Sequence, residues 1–258
     1  MMRSPLLTDL RLYWRLASMQ IRSQLQYRVS TGVEIGTYFL VTALEFTQVF
    51  LLFATFSTLG GWNKGEVALL YAVTSICFGL AELFGAGFDA FADLVRQGNF
   101  DRVLVRPASP LVQVASSDFR VRRLGRISQG ALSFAVAWWL LHGIEWTPAK
   151  ALALATGFAS GGLIFVAIFM LEATICFWSI ESTELTNILT YGGREMLSWP
   201  LTIYNELMQR VFLFCIPLAF GAFVPVCFIL GKPLPFSLPG WVVFLGPLLA
   251  LVGAALSL

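Results

Sequence analysis

Long uncharged runs restrict this chain more than any other feature of its sequence. Ile35–Thr58, Val67–Gly87, Ile127–Leu141 with its flanks, Ala151–Ser179, Val211–Leu230 and Trp241–Leu258 are all strongly apolar. A helix needs about 20 apolar residues to cross the hydrocarbon of a bilayer, where every backbone N–H and C=O must be satisfied internally. Runs of this length and number predict an all-α integral membrane bundle. Composition bears on the same choice: 12% of the residues are charged and 57% hydrophobic, about half the charge of an ordinary soluble domain. The net charge of +2 is too small to predict a nucleic-acid partner. Cys77, Cys176, Cys215 and Cys227 lie inside apolar runs with no CxxC pair and no Cys/His cluster, so neither a disulfide framework nor a metal site is expected. His142, the single histidine, lies near the end of a run and reads as interfacial. Charges from Arg3 to Arg28 interrupt the N-terminus, which therefore lacks the apolar core of a signal peptide. The last run has no flanking charge after it, so the final helix is expected to end at, or continue past, Leu258.

Arginine placement sets an expected orientation. Segment 1–32 holds Arg3, Arg11, Arg15, Arg22 and Arg28, and loop 88–126 holds Arg96, Arg102, Arg106, Arg120, Arg122, Arg123 and Arg126. The short connections carry only Lys64, Lys150 and Lys232. The positive-inside rule then places the N-terminus and the 88–126 loop in the cytoplasm, with the turns near Gly61, Trp146 and Pro235 outside. Within segment 1–32, Leu7, Leu10, Trp14, Ala17, Ile21 and Leu25 recur at helical spacing beside Arg11, Arg15 and Arg22. That pattern predicts an amphipathic helix in the inner interface, its arginines near anionic headgroups. It serves either as an anchor or as an elbow that transmits motion into the first span. Residues 33–258 form the membrane domain.

The 88–126 loop carries the most specific motif. Gly98-Asn99-Phe100-Asp101-Arg102-Val103-Leu104-Val105-Arg106-Pro107-Ala108-Ser109-Pro110 resembles the G-x-x-D-x-x-L-x-R-P-x-x-P signature of the ABC-2 type transporter permeases, most of all a bacterial branch of similar length. Trp199-Pro200-Leu201-Thr202-Ile203-Tyr204, then Ile216-Pro217-Leu218-Ala219-Phe220 and Pro225, resemble that branch's Y-P-x-x-I-Y … I-P-x-A-F … P pattern, with Trp199 in place of the usual tyrosine.

The resemblance implies an interfacial elbow helix, six transmembrane helices and a cytoplasmic coupling helix between the second and third. It also implies a re-entrant hairpin over 200–230, marked by Pro200, Tyr204, Pro217 and Pro225. Hydropathy alone makes 207–230 the fifth span, whereas the family pattern makes Ser182–Ser198 a short fifth helix. Proline removes a backbone donor and kinks a helix, which suits a broken hairpin. The implied activity is export driven by two copies of a separate ABC ATPase. This chain has no G-x-x-x-x-G-K-[ST] phosphate loop, so ATP and magnesium belong to that partner and the chain is no enzyme. The resemblance also implies a second, often non-identical permease that completes the pore in the bacterial inner membrane, among membrane lipids. The expected coupling residues are Asp89, Phe91, Asp93, Leu94, Val95, Arg96, Asp101, Arg102 and Arg106. Phe91, Leu94 and Val95 would supply apolar knobs, and the charges would fix orientation.

Carboxylates inside the apolar runs are a second candidate site. Glu45, Glu82 and Glu172 lie within the first, second and fourth runs, which contain no Lys or Arg of their own. Charges at that depth are costly and face a bundle interior, a partner or a water-filled path. Glu45 with Gln48 among Phe46, Phe50 and Phe53 suits a lining for an amphipathic or cationic small molecule or lipid. Alternatively, the glutamates are protonated packing residues. The expected substrate path is Glu45, Phe46, Gln48 and Glu172. An ion-coupled secondary transporter using these glutamates is the competing class, although no inverted repeat is visible. An integral membrane enzyme would want a His, Asp or Cys cluster at one depth, which the sequence lacks. Small residues at Ala153, Gly157 and Gly161, and at Gly246, Ala250 and Ala254, are expected to pack helices closely within the chain.

Overall fold

The computed structural model describes residues 5–178 and 187–256, which are helical apart from turns and one isolated bridge between Leu59 and Trp62. Helix α1 (Pro5–Leu25) is the expected amphipathic helix; Ala17 is fully buried while Leu10, Trp14 and Met19 are exposed. The chain turns at Gln26–Tyr27, where Tyr27 N and Thr31 Oγ1 both donate to Gln24 O at 3.1 and 2.7 Å. Helix α2 (Arg28–Thr55) follows at once. It begins at Arg28 rather than Ile35 because the polar residues that end the apolar run do not end the backbone ladder. The elbow thus ends at Leu25, short of residue 32.

A tight reversal joins α2 to α3 (Lys64–Asp89). Leu59 and Trp62 exchange backbone hydrogen bonds of 2.9 Å across Gly60 and Gly61, both at positive φ (56° and 81°), as a primed hairpin turn requires. Asn63 and Glu66 then form a reciprocal capping box that starts α3. Helix α3 is the axis of the bundle, buried along most of its length and packed on α2, on α7 (Leu124–Leu140) and on α8 (Pro148–Ile175). Phe78 anchors it with edge-on contacts to Phe165 at 5.0 Å, Phe169 at 6.0 Å and Tyr191 at 5.4 Å. Among the described residues, three helical stretches are long and apolar enough to cross a membrane: Arg28–Thr55, Lys64–Arg96 (α3 running on into the short helix after it) and Pro148–Ile175.

Between α3 and α7 the polar loop folds into α4 (Phe91–Arg96), α5 (Phe100–Leu104) and α6 (Pro110–Ala115), closed by a 3₁₀ turn at Val121–Arg123. Residues 182–186 of the expected short fifth helix lie outside the described residues. From Asn187 the chain forms a π-helical turn (Ile188–Gly192) running into α9 (Gly193–Leu197). Val211–Leu230 is not one helix. After α10 (Glu206–Arg210) come a π turn (Val211–Cys215), a 3₁₀ turn (Pro217–Phe220) and α11 (Phe223–Leu230). A last 3₁₀ segment (Gly240–Leu245) leads into α12 (Gly246–Leu256).

Contacts locate this broken stretch. A Cβ at Gly60 would lie 2.7 Å from Ile203 Cγ2, so residue 203 touches the α2–α3 turn. Lys232 returns to the same turn, 2.9 Å from Gly61 O and 3.0 Å from Glu66 Oε2. Between these two points Gly221 meets Gly161 midway along α8; a Cβ there would sit 2.4 Å from the Gly161 Cα. Only glycine permits that backbone approach. Gly157 packs on Pro225 and Gly246 on Ser160, so the small-residue stripes serve contacts within the chain.

Candidate functional site: the polar loop and a buried charge ladder

The loop motif owes its shape to its punctuating residues. Gly98 ends α4 in the left-handed region (φ 68°), and Asn99 N returns to Leu94 O at 3.0 Å, a glycine C-cap. Asp101 lies in the first turn of α5, and Pro110 is at the first position of α6, both favoured at helix starts. Gln113 Nε2 donates to Val103 O (3.2 Å) and Ala108 O (3.1 Å), tying the Arg106-Pro107 turn to α6.

This geometry sorts the nine expected coupling residues. Asp93, Arg96, Asp101, Arg102 and Arg106 are exposed, with Leu104 (56%) and Val105 (82%) beside them. Asp93 and Arg96 pair at 3.7 Å. Asp89 instead turns inward and accepts from Tyr191 OH at 2.9 Å. Phe91 is a correction: it is buried, 5.0 Å from the Phe100 ring and 5.2 Å from Phe177, an aromatic triangle that fastens the loop to the end of α8. Leu94 and Val95 are half-buried against the core. Packing claimed these three because the loop helices need an apolar face of their own. Leu104 and Val105 are the most exposed apolar residues of the loop, with Leu111 less so.

Helix α1 is clamped to the far end of the loop. Gln20 Nε2 donates to Ser116 O and Ser117 O (2.8 and 2.7 Å), and its Oε1 accepts from Phe119 N (3.0 Å). One turn on, Gln24 Nε2 donates to Phe119 O (2.6 Å) and its Oε1 accepts from Val121 N (2.9 Å). Phe119 thus has its backbone N–H and C=O held by two successive glutamines. Tyr13 OH adds a bond to Phe84 O at 3.0 Å. Nearby, Asp118 meets Arg120 Nε (2.6 Å) and Arg123 Nη2 (2.7 Å), and its backbone carbonyl accepts from Arg123 Nη1. Partial burial works against this carboxylate, but the two guanidiniums outweigh it and hold Asp118 below the usual carboxylate range.

A ladder of charge runs through the bundle. Arg126, at the start of α7, lies 2.9 Å from Glu82 and 3.8 Å from Glu45. Arg194 in α9 reaches the same Glu45 Oε2 at 2.6 Å and Glu195 at 3.2 Å. Gln48 donates to Glu195 at 3.4 Å, and Tyr38 OH donates to Glu82 at 2.8 Å while accepting from Arg126 Nη2 at 3.2 Å. Both guanidiniums also lie against the Phe78 ring, at 5.3 and 5.9 Å. The arginines and Glu82 are buried, whereas Glu45 keeps 30% and Glu195 46% of its side chain exposed. Two positive and three negative side chains therefore link α2, α3, α7 and α9, buried at the Glu82 end and open at the Glu195 end. Glu45 is not the lone carboxylate its own helix suggested. Its partners come from other helices, beyond the reach of a search confined to one run. Phe46 packs inward on Tyr71 (5.2 Å), and Glu172 is buried in α8.

Residues 39–258 match a family described as ABC-2 family transporter protein. The chain belongs to the ABC-2 transporter family. No curated protein and no solved structure matches it. The permease is therefore a multi-pass membrane transport component and not itself a catalyst. The family match begins within α2, so α1 and its glutamine clamp lie outside it. Glu45 and Glu82 are thus paired with arginines from other elements rather than bare in the bundle. Arg126, Arg194, Glu195, Gln20 and Gln24 were the functional candidates that sequence reading passed over. The available signal was Glu45 and Glu82, carboxylates in apolar runs without cations of their own, whose counter-charge had to come from neighbouring elements.

Proposed function

We propose that this permease is half of an export channel, driven by two copies of a separate ABC ATPase docked on the 88–126 loop in the bacterial cytoplasm. One observation carries the docking reading. Leu104 and Val105 are exposed on a loop rigidly tied by Gln113 and ringed by Asp101, Arg102 and Arg106. An apolar centre with a charged rim is the usual anatomy of a protein interface. ATP and magnesium act on the partner. A second, non-identical permease completes the path.

The topology we favour has the N-terminus cytoplasmic and six crossings: α2, α3, α7, α8, the segment ending in α9, and Gly240–Leu256. Residues 200–230 form an outer re-entrant hairpin. Its support is the contact of both residue 203 and Lys232 with the α2–α3 turn, and of Gly221 with the middle of α8. The open end of the ladder, Glu45 with Gln48 and Glu195, faces the translocation path. Its excess negative charge suits an amphipathic or cationic cargo.

The test is affinity purification of the permease with its ATPase. Asp101→Lys with Arg102→Glu is expected to lower ATPase retention at least about tenfold, since charges at an interface fix register and orientation. Retention and transport at wild-type levels in the double variant would place docking elsewhere.

A further inference from the structure

The arginines of this permease fall into two groups. Arg96, Arg120, Arg123, Arg126, Arg194 and Arg210 each reach a carboxylate. Among the described residues, Arg22, Arg28, Arg102, Arg106 and Arg122 reach none, and neither do Arg11 and Arg15. They sit one turn apart on α1 and line a cavity of about 470 Å³ opposite the Pro107–Ser109 turn. Thr8 and Ser109 line it too, and their hydroxyls make no hydrogen bond within the described residues. Asp9 is the single acid in the lining, with Leu12 as an apolar wall. On the same helix Leu10 (56%) and Trp14 (50%) are exposed.

The donor set selects a ligand class. Two guanidiniums and two hydroxyls line the cavity as potential donors, and a guanidinium fork matches phosphate oxygens. Against one Asp9 carboxylate, the two arginines leave a local charge of +1. That charge balances a phosphodiester monoanion better than a free dianionic phosphate. The exposed Leu10 and Trp14 supply apolar contact beside the charged pocket, as at the junction of headgroup and acyl chain. The Gln20 and Gln24 clamp and the Tyr13 bond hold α1 against the loop side of the bundle, so the cavity is formed before any ligand arrives.

We propose that this cavity binds the phosphodiester headgroup of a membrane phospholipid, with Arg11, Arg15, Thr8 and Ser109 as donors. The site rests on the reading that puts α1 in the inner interface. It would join α1 to the Arg106-Pro107 turn, which borders the proposed docking surface. Basic pockets at the cytoplasmic face are a known way to hold anionic lipid.

The experiment titrates the intact, detergent-purified permease with phosphatidylglycerol and reads retained lipid by native mass spectrometry. Arg11→Gln with Arg15→Gln is compared with Arg22→Gln with Arg28→Gln, which removes equal charge outside the cavity. The cavity pair is expected to weaken retention of the tightest lipid about tenfold or more, and the control pair much less. Ser109→Ala gives a smaller loss, and circular dichroism confirms that each variant is folded. Equal loss in both pairs would reduce the site to diffuse attraction and overturn it. Displacement of the lipid by equimolar inorganic phosphate would reassign the cavity to free phosphate. Loss of ATPase retention with lipid retention unchanged would give the arginines to the protein partner. The two kinds of failure separate: external labelling of Leu10→Cys in intact cells overturns the orientation, whereas unchanged lipid retention in the cavity pair overturns the headgroup site.

Discussion

The loop and the interior of this permease use the same residue types in opposite ways. Around Leu104 and Val105, Asp101, Arg102 and Arg106 are exposed and reach no counter-charge within the described residues. Around Phe78, Arg126 and Arg194 are buried, and each touches two carboxylates. Exposed charges in water cost little and remain available to a partner. Buried charges persist only when matched, because desolvation of an ion costs several kcal/mol. Charge in the loop therefore reads as recognition, and charge in the bundle as internal fastening that fixes how α2, α3, α7 and α9 sit together.

Breaking the ladder is the strongest test of this contrast. Arg126→Leu leaves Glu82 and the inner side of Glu45 without their guanidinium and is expected to cost about 3–5 kcal/mol. Thermal unfolding followed by fluorescence-detected size exclusion reads that loss. Adding Glu82→Leu to Arg126→Leu should recover much of it, since removing both partners is far less costly than orphaning one. A double variant as unstable as the single would mean that Arg126 acts through packing.

The clamp should give an intermediate effect. Gln20→Ala with Gln24→Ala removes five bonds between α1 and the loop. Water can replace part of them at this exposed edge, so the expected loss is about 2 kcal/mol. Hydrogen exchange at the Phe119 and Val121 amides should rise while the α3 core stays protected. Equal exchange in variant and wild type would show the loop to be held by Asp118 and its arginines instead.

Charge reversal on the exposed loop face proposed for docking sharpens the comparison from the other side. Asp101→Lys with Arg102→Glu should change stability by no more than about 0.5 kcal/mol, even while ATPase retention falls. A large loss of stability would mean that the loop charges are structural after all.

The smallest effect is expected in acid. Asp118 has a depressed folded-state pKa, countered by burial but set by Arg120 and Arg123. Its contribution is therefore fully present above the unfolded value of about 3.9 and lost as pH falls through the lower folded value. Asp118→Asn should flatten that acid limb and leave the pH 5–7 range unchanged in slope. A variant whose stability declines in parallel with wild type below pH 4 would remove Asp118 from the account.

Membrane class, the amphipathic start, the long helices and the loop motif were legible in the chain alone, because each is written in local order. Apolar run length reports the cost of unsatisfied backbone in lipid. Gly98 and Pro110 announce helix ends through their own φ preferences. Three-dimensional packing decided the rest. Phe91 reads as a knob in sequence but is buried, because Phe100 and Phe177 close over it from distant positions. Glu45 looks unpaired along α2, yet its counter-ion Arg194 arrives from a helix 149 residues away. Gln20 and Gln24 carry no motif; their role exists only because the Phe119 backbone lies beside them. Hydropathy sums a segment's own preference for lipid, whereas pairing between charges depends on distance in space, and only the assembled bundle sets those distances.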